Sequence, residues 1–173
     1  MSAPPRIRDA HEADLPALLA VHNTAIAEGT AIWDTELVDL AERTAWWHAR
    51  RAAGFPVLVA DAGGAVAGYA SYGQWRPKSG YRHTVENSVY VADGFHGRGI
   101  ASALLTELLE RAQRGDVHAM VAGIESGNAT SIALHLKFGF TVVGELPEVG
   151  RKFDRWLDLT LMQRTFGSVT SQE

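Results

Sequence analysis

The sequence predicts one α/β (α+β) domain in which helices flank a mixed sheet. Three observations carry this. The chain has 173 residues, 46% of them apolar and 21% charged, which suits a single folded unit with one sizeable core. The hydrophobic period alternates between helical spacing and short β-type runs. The alternation gives the order β-α-α-β-β-β-α-β-α-β-β, which fits neither a doubly wound sheet nor a helix bundle. No linker, repeat or low-complexity block divides the chain. Residues 6–166 therefore form the domain, and 1–5 and 167–173 are expected to be flexible ends.

Arg6–Arg8 is a short first strand. Asp14 stands as a helix N-cap with Pro16 in the first turn, and Leu15, Leu18, Leu19, His22, Ala25 and Ile26 recur at helical spacing toward the core. Glu28–Thr35 breaks that pattern and holds Trp33 in a loop. Leu37–Ala53 resumes a helix, closed by Gly54. Phe55–Asp61 and Ala65–Tyr72 are strands around the turn Ala62-Gly63-Gly64, with Gly68 marking a bulge or a close backbone approach. A polar loop spans Gly73–Arg82, and Thr84–Val91 is the next strand. Asp93–Gly99 is glycine-rich and opens the amphipathic helix Ile100–Arg114, whose apolar positions are 100, 101, 104, 105, 108, 109 and 112. Ala119–Ile124 is a strand and Asn128–Phe138 a helix stopped by Gly139. Thr141–Leu146 and Trp156–Arg164 are final strands around a polar loop.

Composition narrows the function. Lys and Arg number 16 against 20 Asp and Glu, a net charge of −4, which argues against a nucleic-acid binder. The absence of cysteine removes disulfide scaffolds, thiolate metal sites and cysteine nucleophiles. No apolar run approaches the ~18 residues of a membrane span, and Met1–Pro5 has no signal-peptide core, so no membrane partner is expected and the cytoplasm is the expected compartment. His11, His22, His48, His83, His96 and His118 lack metal-helix spacing, and His83 and Glu86 fall on opposite strand faces, so no metal is expected.

His96-Gly97-Arg98-Gly99-Ile100-Ala101 lies between a strand and a helix. Glycines there let backbone N–H groups converge, and the helix N-terminus adds partial positive charge, a combination suited to phosphate. Gly94 and Gly99 have Walker spacing, but Ile100 replaces the lysine. Ser102 replaces the third glycine of the dinucleotide fingerprint. On spacing alone, a ligand-free turn is an equal alternative.

Val89-Tyr90-Val91, the 96–101 loop and the leucine-rich helix after it resemble the acyl-CoA signature of the GNAT superfamily of N-acetyltransferases, with His96 departing from the usual Gln or Arg. The resemblance implies the mixed, mostly antiparallel sheet of that fold, flanked by about four helices. It also implies acetyl-CoA as co-substrate: the backbone of Val89, Tyr90 and Val91 along the pantetheine arm, amides from Gly97, Arg98, Gly99, Ile100, Ala101 and Ser102 on the pyrophosphate, and Asn128 reaching the cofactor. The segments 68–72, 75–77, 81–91, 125–128 and 150–156 are similar to one subfamily, the phosphinothricin/methionine sulfoximine (methionine sulfone) N-acetyltransferases. That implies a small amino-acid-like acceptor, an acceptor site including Trp33, Arg76, Pro77, Lys78, Glu86, Asn87 and Ser88, and a homodimer, with Gly150–Trp156 able to reach the partner.

The chemistry assigns roles within that set. An amine attacks a thioester only when deprotonated, and Glu86 is the candidate base, acting directly or through water. It shares a strand face with Thr84, Ser88 and Tyr90, while Val85, Val89 and Val91 take the other. The competing role is an ion pair with Arg82 or Arg76. The N–H of Val89 is the candidate oxyanion donor. His135 takes the place of the superfamily's frequent tyrosine, four residues before Gly139, and serves either as acid to the leaving thiolate or as a packed helix residue. Arg76 suits an α-carboxylate, Lys78 has weaker support, and Trp33 is either an apolar wall or core packing. A non-catalytic acyl-CoA sensor is the reading of a different class, and retention of Glu86 and Arg76 speaks against it. Another amine or a peptide N-terminus is the alternative acceptor.

Overall fold

The computed structural model describes residues 4–167; the expectations for 1–3 and 168–173 lie outside them. The elements are β1 (Arg6–Asp9), α1 (Leu15–Glu28), α2 (Leu40–Ala52), β2 (Val57–Ala62), β3 (Ala65–Gln74), β4 (Thr84–Val91), α3 (Ile100–Arg114), β5 (Ala119–Glu125), α4 (Ala129–Lys137), β6 (Thr141–Lys152) and β7 (Arg155–Thr165). The strands form one seven-stranded sheet in the order β1-β2-β3-β4-β5-β7-β6. Neighbours are antiparallel except β4 and β5, which run parallel. This is the predicted mixed, mostly antiparallel sheet with four helices.

Local chemistry fixes the elements. Gly63 and Gly64, at φ +69° and +93°, turn β2 into β3, and the Gly64 N–H donates to Asp61 Oδ1 at 2.7 Å. At Gly68 a Cβ would fall 2.5 Å from the Tyr90 carbonyl oxygen, and the β2–β3 register slips between Ala60 and Asp61. Bulge and close approach therefore occur together. On one face of the sheet, α3 buries Leu104, Leu105 and Leu108 completely against Ala67, Ala70, Met120 and Met162. On the other, Leu15, Leu18 and Trp47 of α1 and α2 pack on Val57, Val59 and Tyr69.

Three expectations are corrected. Asp14 does not cap α1: its backbone is already helical (φ −81°, ψ −17°). Its carboxylate turns back to the His11 N–H at 2.7 Å and to Arg8 at 2.7 and 3.0 Å, because the arginine offers a two-pronged ionic partner. Helix α2 begins at Leu40 rather than Leu37, where Asp39 and Glu42 form a reciprocal capping box at 2.8 and 2.9 Å. The polar loop expected after Leu146 is instead a hairpin. Strands β6 and β7 continue, with a register shift, to the pair Lys152–Arg155, and Phe153 and Asp154 turn at φ +51° and +58°.

Candidate active site

The ladder between β4 and β5 is short. It pairs Thr84–Glu86 with Ala119–Val121, and no later pair forms. Beyond it the strands part, and a cleft of about 730 Å³ opens between α1, β4, the end of β5 and α4. Backbone groups of β4 that a continued ladder would consume are thus left facing a cavity. Asn87, Ser88, Val89, Tyr90 and Val91 line it from β4, and Ala101, Asn128 and His135 from the helices. At the mouth, Gly94, Gly97 and Gly99 hold φ near +75° (+79°, +74°, +76°) and a Cβ at any of them would meet nothing within 4 Å. Gly99 is the N-cap of α3 and offers no side-chain cap, so the first-turn amides of that helix stay open to an anion. The Ile100 side chain is buried in the core, leaving only its backbone for a ligand, and the Arg98 guanidinium lies 5.3 Å over the Phe95 ring. Asn128 caps α4, its Oδ1 accepting from the Ser131 N–H at 3.1 Å.

Glu86 and Asn87 leave β4 on opposite faces. Asn87 points to the α4 side, where its amide meets His135 Nε2 at 3.3 Å. His135 is 3% exposed, and its Nδ1 lies 2.8 Å from the Ser131 carbonyl. A carbonyl only accepts, so Nδ1 carries the proton and Nε2 accepts from the Asn87 Nδ2–H. Burial holds the ring's pKa below the ordinary histidine value. Glu86 points to the α1–α2 side. The residue across the ladder is Gly73, and a Cβ at neighbouring Gly123 would come within 3.1 Å of Glu86 Oε1. The Glu86 residue stays exposed to solvent, but the protein packed around its carboxyl partly desolvates it and raises its pKa above the ordinary value, against the lesser opposing charges of Arg76 and Arg50. Neither arginine, nor Arg82, forms an ion pair with it among the described residues.

This combination of splayed parallel strands, a glycine-capped helix and a mid-strand carboxylate decides the family. Residues 18–140 match the family model described as acetyltransferase (GNAT) family. The chain is a GNAT acetyltransferase. It is 58% identical over 158 residues to the L-methionine sulfoximine/L-methionine sulfone acetyltransferase of Pseudomonas paraeruginosa, covering 91% of this chain and 92% of that one. It is 39% identical over 159 residues to the phosphinothricin N-acetyltransferase of Alcaligenes faecalis, covering 91% and 81%. A Salmonella typhimurium acetyltransferase, solved with its cofactor acetyl-CoA, superimposes with a TM-score of 0.94 at 46% identity over 99% of each chain.

In this GNAT chain Arg76 lies near enough to Glu86 to oppose its raised pKa, while Pro77, Lys78 and Trp33 lie in loops. Arg76, Pro77 and Lys78 are exposed in the loop before β4. Gln74 Nε2 steadies that loop by donating to the Arg76 carbonyl at 2.6 Å, and Arg76 lies 4.8 Å over the Trp75 ring. Trp33 Nε1 donates to the Thr30 carbonyl at 2.9 Å, and its ring lies on Gly150, where a Cβ would fall 2.4 Å from Cε3. Trp33 thus packs between the α1–α2 loop and the β6–β7 hairpin. Lys152 fixes that junction. Its ammonium, in a residue 4% exposed, donates to the carbonyls of Ile26 at 2.5 Å, Gly29 at 2.8 Å and Ile32 at 2.6 Å, a cation at the C-terminus of α1.

Sequence reasoning missed one wall. Val21, Thr24, Ala25 and Glu28 of α1 line the cleft, although Ala25 was expected to face the core. Spacing of three and four residues marks a helix face but does not say whether that face meets a core or a cavity. Glu125 was also missed as a cleft residue. It accepts from the Gly127 N–H at 3.0 Å and from Thr30 Oγ1 at 3.3 Å. Its place at the end of β5, just before the α4 cap, was the available signal. Among the described residues no cluster of three or more His, Asp or Glu could hold a metal, and no helix is long and apolar enough to cross a membrane.

Proposed function

We propose that this enzyme transfers an acetyl group from acetyl-CoA to the α-amino group of a small amino-acid analogue of the methionine sulfoximine, methionine sulfone or phosphinothricin type. The observation that carries this is Glu86: a carboxylate without an ion pair, reachable from solvent yet desolvated enough to raise its pKa, on the strand whose open edge lines the cofactor-sized cleft. The names of the relatives support the acceptor class.

Acetyl-CoA supplies the acyl group as a thioester. The open amides of Gly97–Ser102 and the free edge of Val89–Val91 suit its pyrophosphate and pantetheine arm, with Asn128 and Ala101 alongside. Glu86 takes one proton from the α-ammonium, directly or through one water, which frees the lone pair for attack on the thioester carbon. The Val89 N–H donates to the carbonyl oxygen as it gains charge. The C–S bond then breaks, CoA leaves as the thiolate, and the second amine proton is released. His135 holds Asn87 in this arrangement. With its proton spent on Ser131 it has none at Nε2 to give, so the thiolate takes its proton from water. Arg76 holds the acceptor's carboxylate, with Lys78 and Pro77 at the rim. Ser88 and Trp33 bound the acceptor space.

The assembly is a homodimer and the compartment the cytoplasm. Edge strand β6 and adjoining β7 expose Val142, Val143, Leu146, Val149 and Trp156, the last 59% exposed, an apolar strip of the kind a partner copy covers. The test of the acceptor reading is the product. Incubation with acetyl-CoA and methionine sulfone should yield methionine sulfone acetylated on its α-nitrogen by tandem mass spectrometry. Acetylation only of a peptide N-terminus in a parallel reaction would favour the alternative acceptor.

A further inference from the structure

Two arginines on one face of α2 have no anionic partner. Arg50 rests on β3: a Cβ built on Gly73 would fall 1.1 Å from its Nη1 and 2.2 Å from its Cζ. Any side chain at position 73 would displace the guanidinium. Seven residues earlier, Arg43 is 4% exposed and stacks 3.6 Å from the centroid of the Trp46 ring and 5.0 Å from that of Tyr69. The Nε atoms of both arginines are buried without a hydrogen-bond partner, and among the described residues neither arginine has a carboxylate within 4 Å. Glu86 attracts Arg50 from beyond ion-pair distance, but desolvation and the like charge of Arg43 outweigh it. Holding two cations this far out of water with no counter-charge in contact is unfavourable, so the pair points to an anion that arrives from outside.

The neighbour of this pair is the candidate base. Gly73 stands directly across the ladder from Glu86, and opposed residues of an antiparallel pair lie about 4.5–5.5 Å apart. The Arg50 guanidinium, over Gly73, is thus about one strand spacing from Glu86 on the same face of the sheet. In an α-amino acid the amine and the carboxylate share one carbon. An acceptor whose amine reaches Glu86 must therefore place its carboxylate within about that spacing. Arg76 approaches from the exposed side, whereas Arg50 is already seated and partly shielded from water, where a charge-assisted bond is stronger.

We propose that Arg50, backed by Arg43, grips the acceptor's α-carboxylate from the interior side, and that position 73 is glycine to admit it. This rests on the amino-acid acceptor proposed above and assigns Arg50 as a specificity-determining residue that Arg76 complements.

The test compares methionine sulfone with 3-(methylsulfonyl)propylamine, the same skeleton without the carboxylate. In the wild type, kcat/KM should favour the amino acid by about 30-fold or more, the scale of a buried charge-assisted contact. Arg50→Met should cut that preference at least tenfold, with the KM for acetyl-CoA little changed; any change in Glu86 acts on both compounds alike and cancels in the ratio. Gly73→Ala should do the same with the arginine's charge intact, and it decides the matter if Arg50→Met does not fold. Arg76→Ala should reduce the preference less. Undiminished preference in Arg50→Met, or in Gly73→Ala where only that variant folds, would overturn the proposal. A wild type that acetylates both compounds without preference would overturn it as well. A wild type that acetylates neither would instead remove the acceptor reading on which it rests.

Discussion

At the scale of single residues the proposed chemistry depends on Glu86. Partial desolvation raises its pKa, and the charges of Arg76 and Arg50 pull it back. Below that pKa the carboxyl is protonated and cannot accept, so kcat should fall on an acidic limb lying above the ordinary carboxyl range. Glu86→Gln keeps the shape and removes the base. At pH 7 its kcat should drop by about 100-fold, with part of the loss returning above the acceptor amine's own pKa, where the acceptor arrives deprotonated. Stopped-time assays across pH would show this; wild-type kcat for the variant at pH 7 would assign the proton to solvent. Glu86 was legible in the sequence, because strand alternation alone separates it from Val85 and puts it with Ser88 and Tyr90. Arg50 was not. Its significance depends on Gly73, and a glycine at the end of a strand reads as the start of a loop until the side chain lying over it is seen.

At the scale of elements, the N-terminus of α3 and the β6–β7 hairpin do different work. Gly99 caps α3 at φ +76° with open space where a Cβ would stand. A β-branched residue there is strained and also fills that space. Gly99→Val should weaken acetyl-CoA binding at least tenfold by calorimetry, about 1.4 kcal/mol. Unchanged affinity in a folded variant would take the loop out of the cofactor site. The hairpin is tied down by Lys152. Lys152→Met leaves the carbonyls of Ile26, Gly29 and Ile32 without their donor, at about 1–3 kcal/mol for each that stays dry. Denaturant unfolding should show a loss of that order, and an unchanged midpoint would mean that water replaces the ammonium. Helix α3 was legible because its leucines recur on one face. The hairpin tip was not, since Glu148, Arg151 and Lys152 read as a solvated loop. What orders it is Lys152's distant carbonyl partners and a left-handed turn at Phe153–Asp154, neither of which has a local apolar signature.

At the scale of the whole molecule, element order and hydrophobic period were enough to anticipate a mixed sheet with helices on its faces. The parallel β4–β5 pair and its early divergence were beyond reach, because periodicity does not report which strands meet. The exposed strip along β6 and β7 belongs to this scale too. Sedimentation equilibrium at micromolar concentration should return twice the mass of the 18.7 kDa chain, and a monomer would leave that strip without its proposed partner.

The proposed reaction, in which the cleft and Glu86 together acetylate an amino-acid analogue, stands or falls on turnover. It is tested most directly by kcat/KM for CoA release from acetyl-CoA across methionine sulfoximine, methionine sulfone, phosphinothricin and ordinary amino acids. Release is expected with the analogues, with a preference of about 10-fold or more for at least one of them over every ordinary amino acid. Tight acetyl-CoA binding with no CoA released for any of these amines, the behaviour of a sensor, would contradict it.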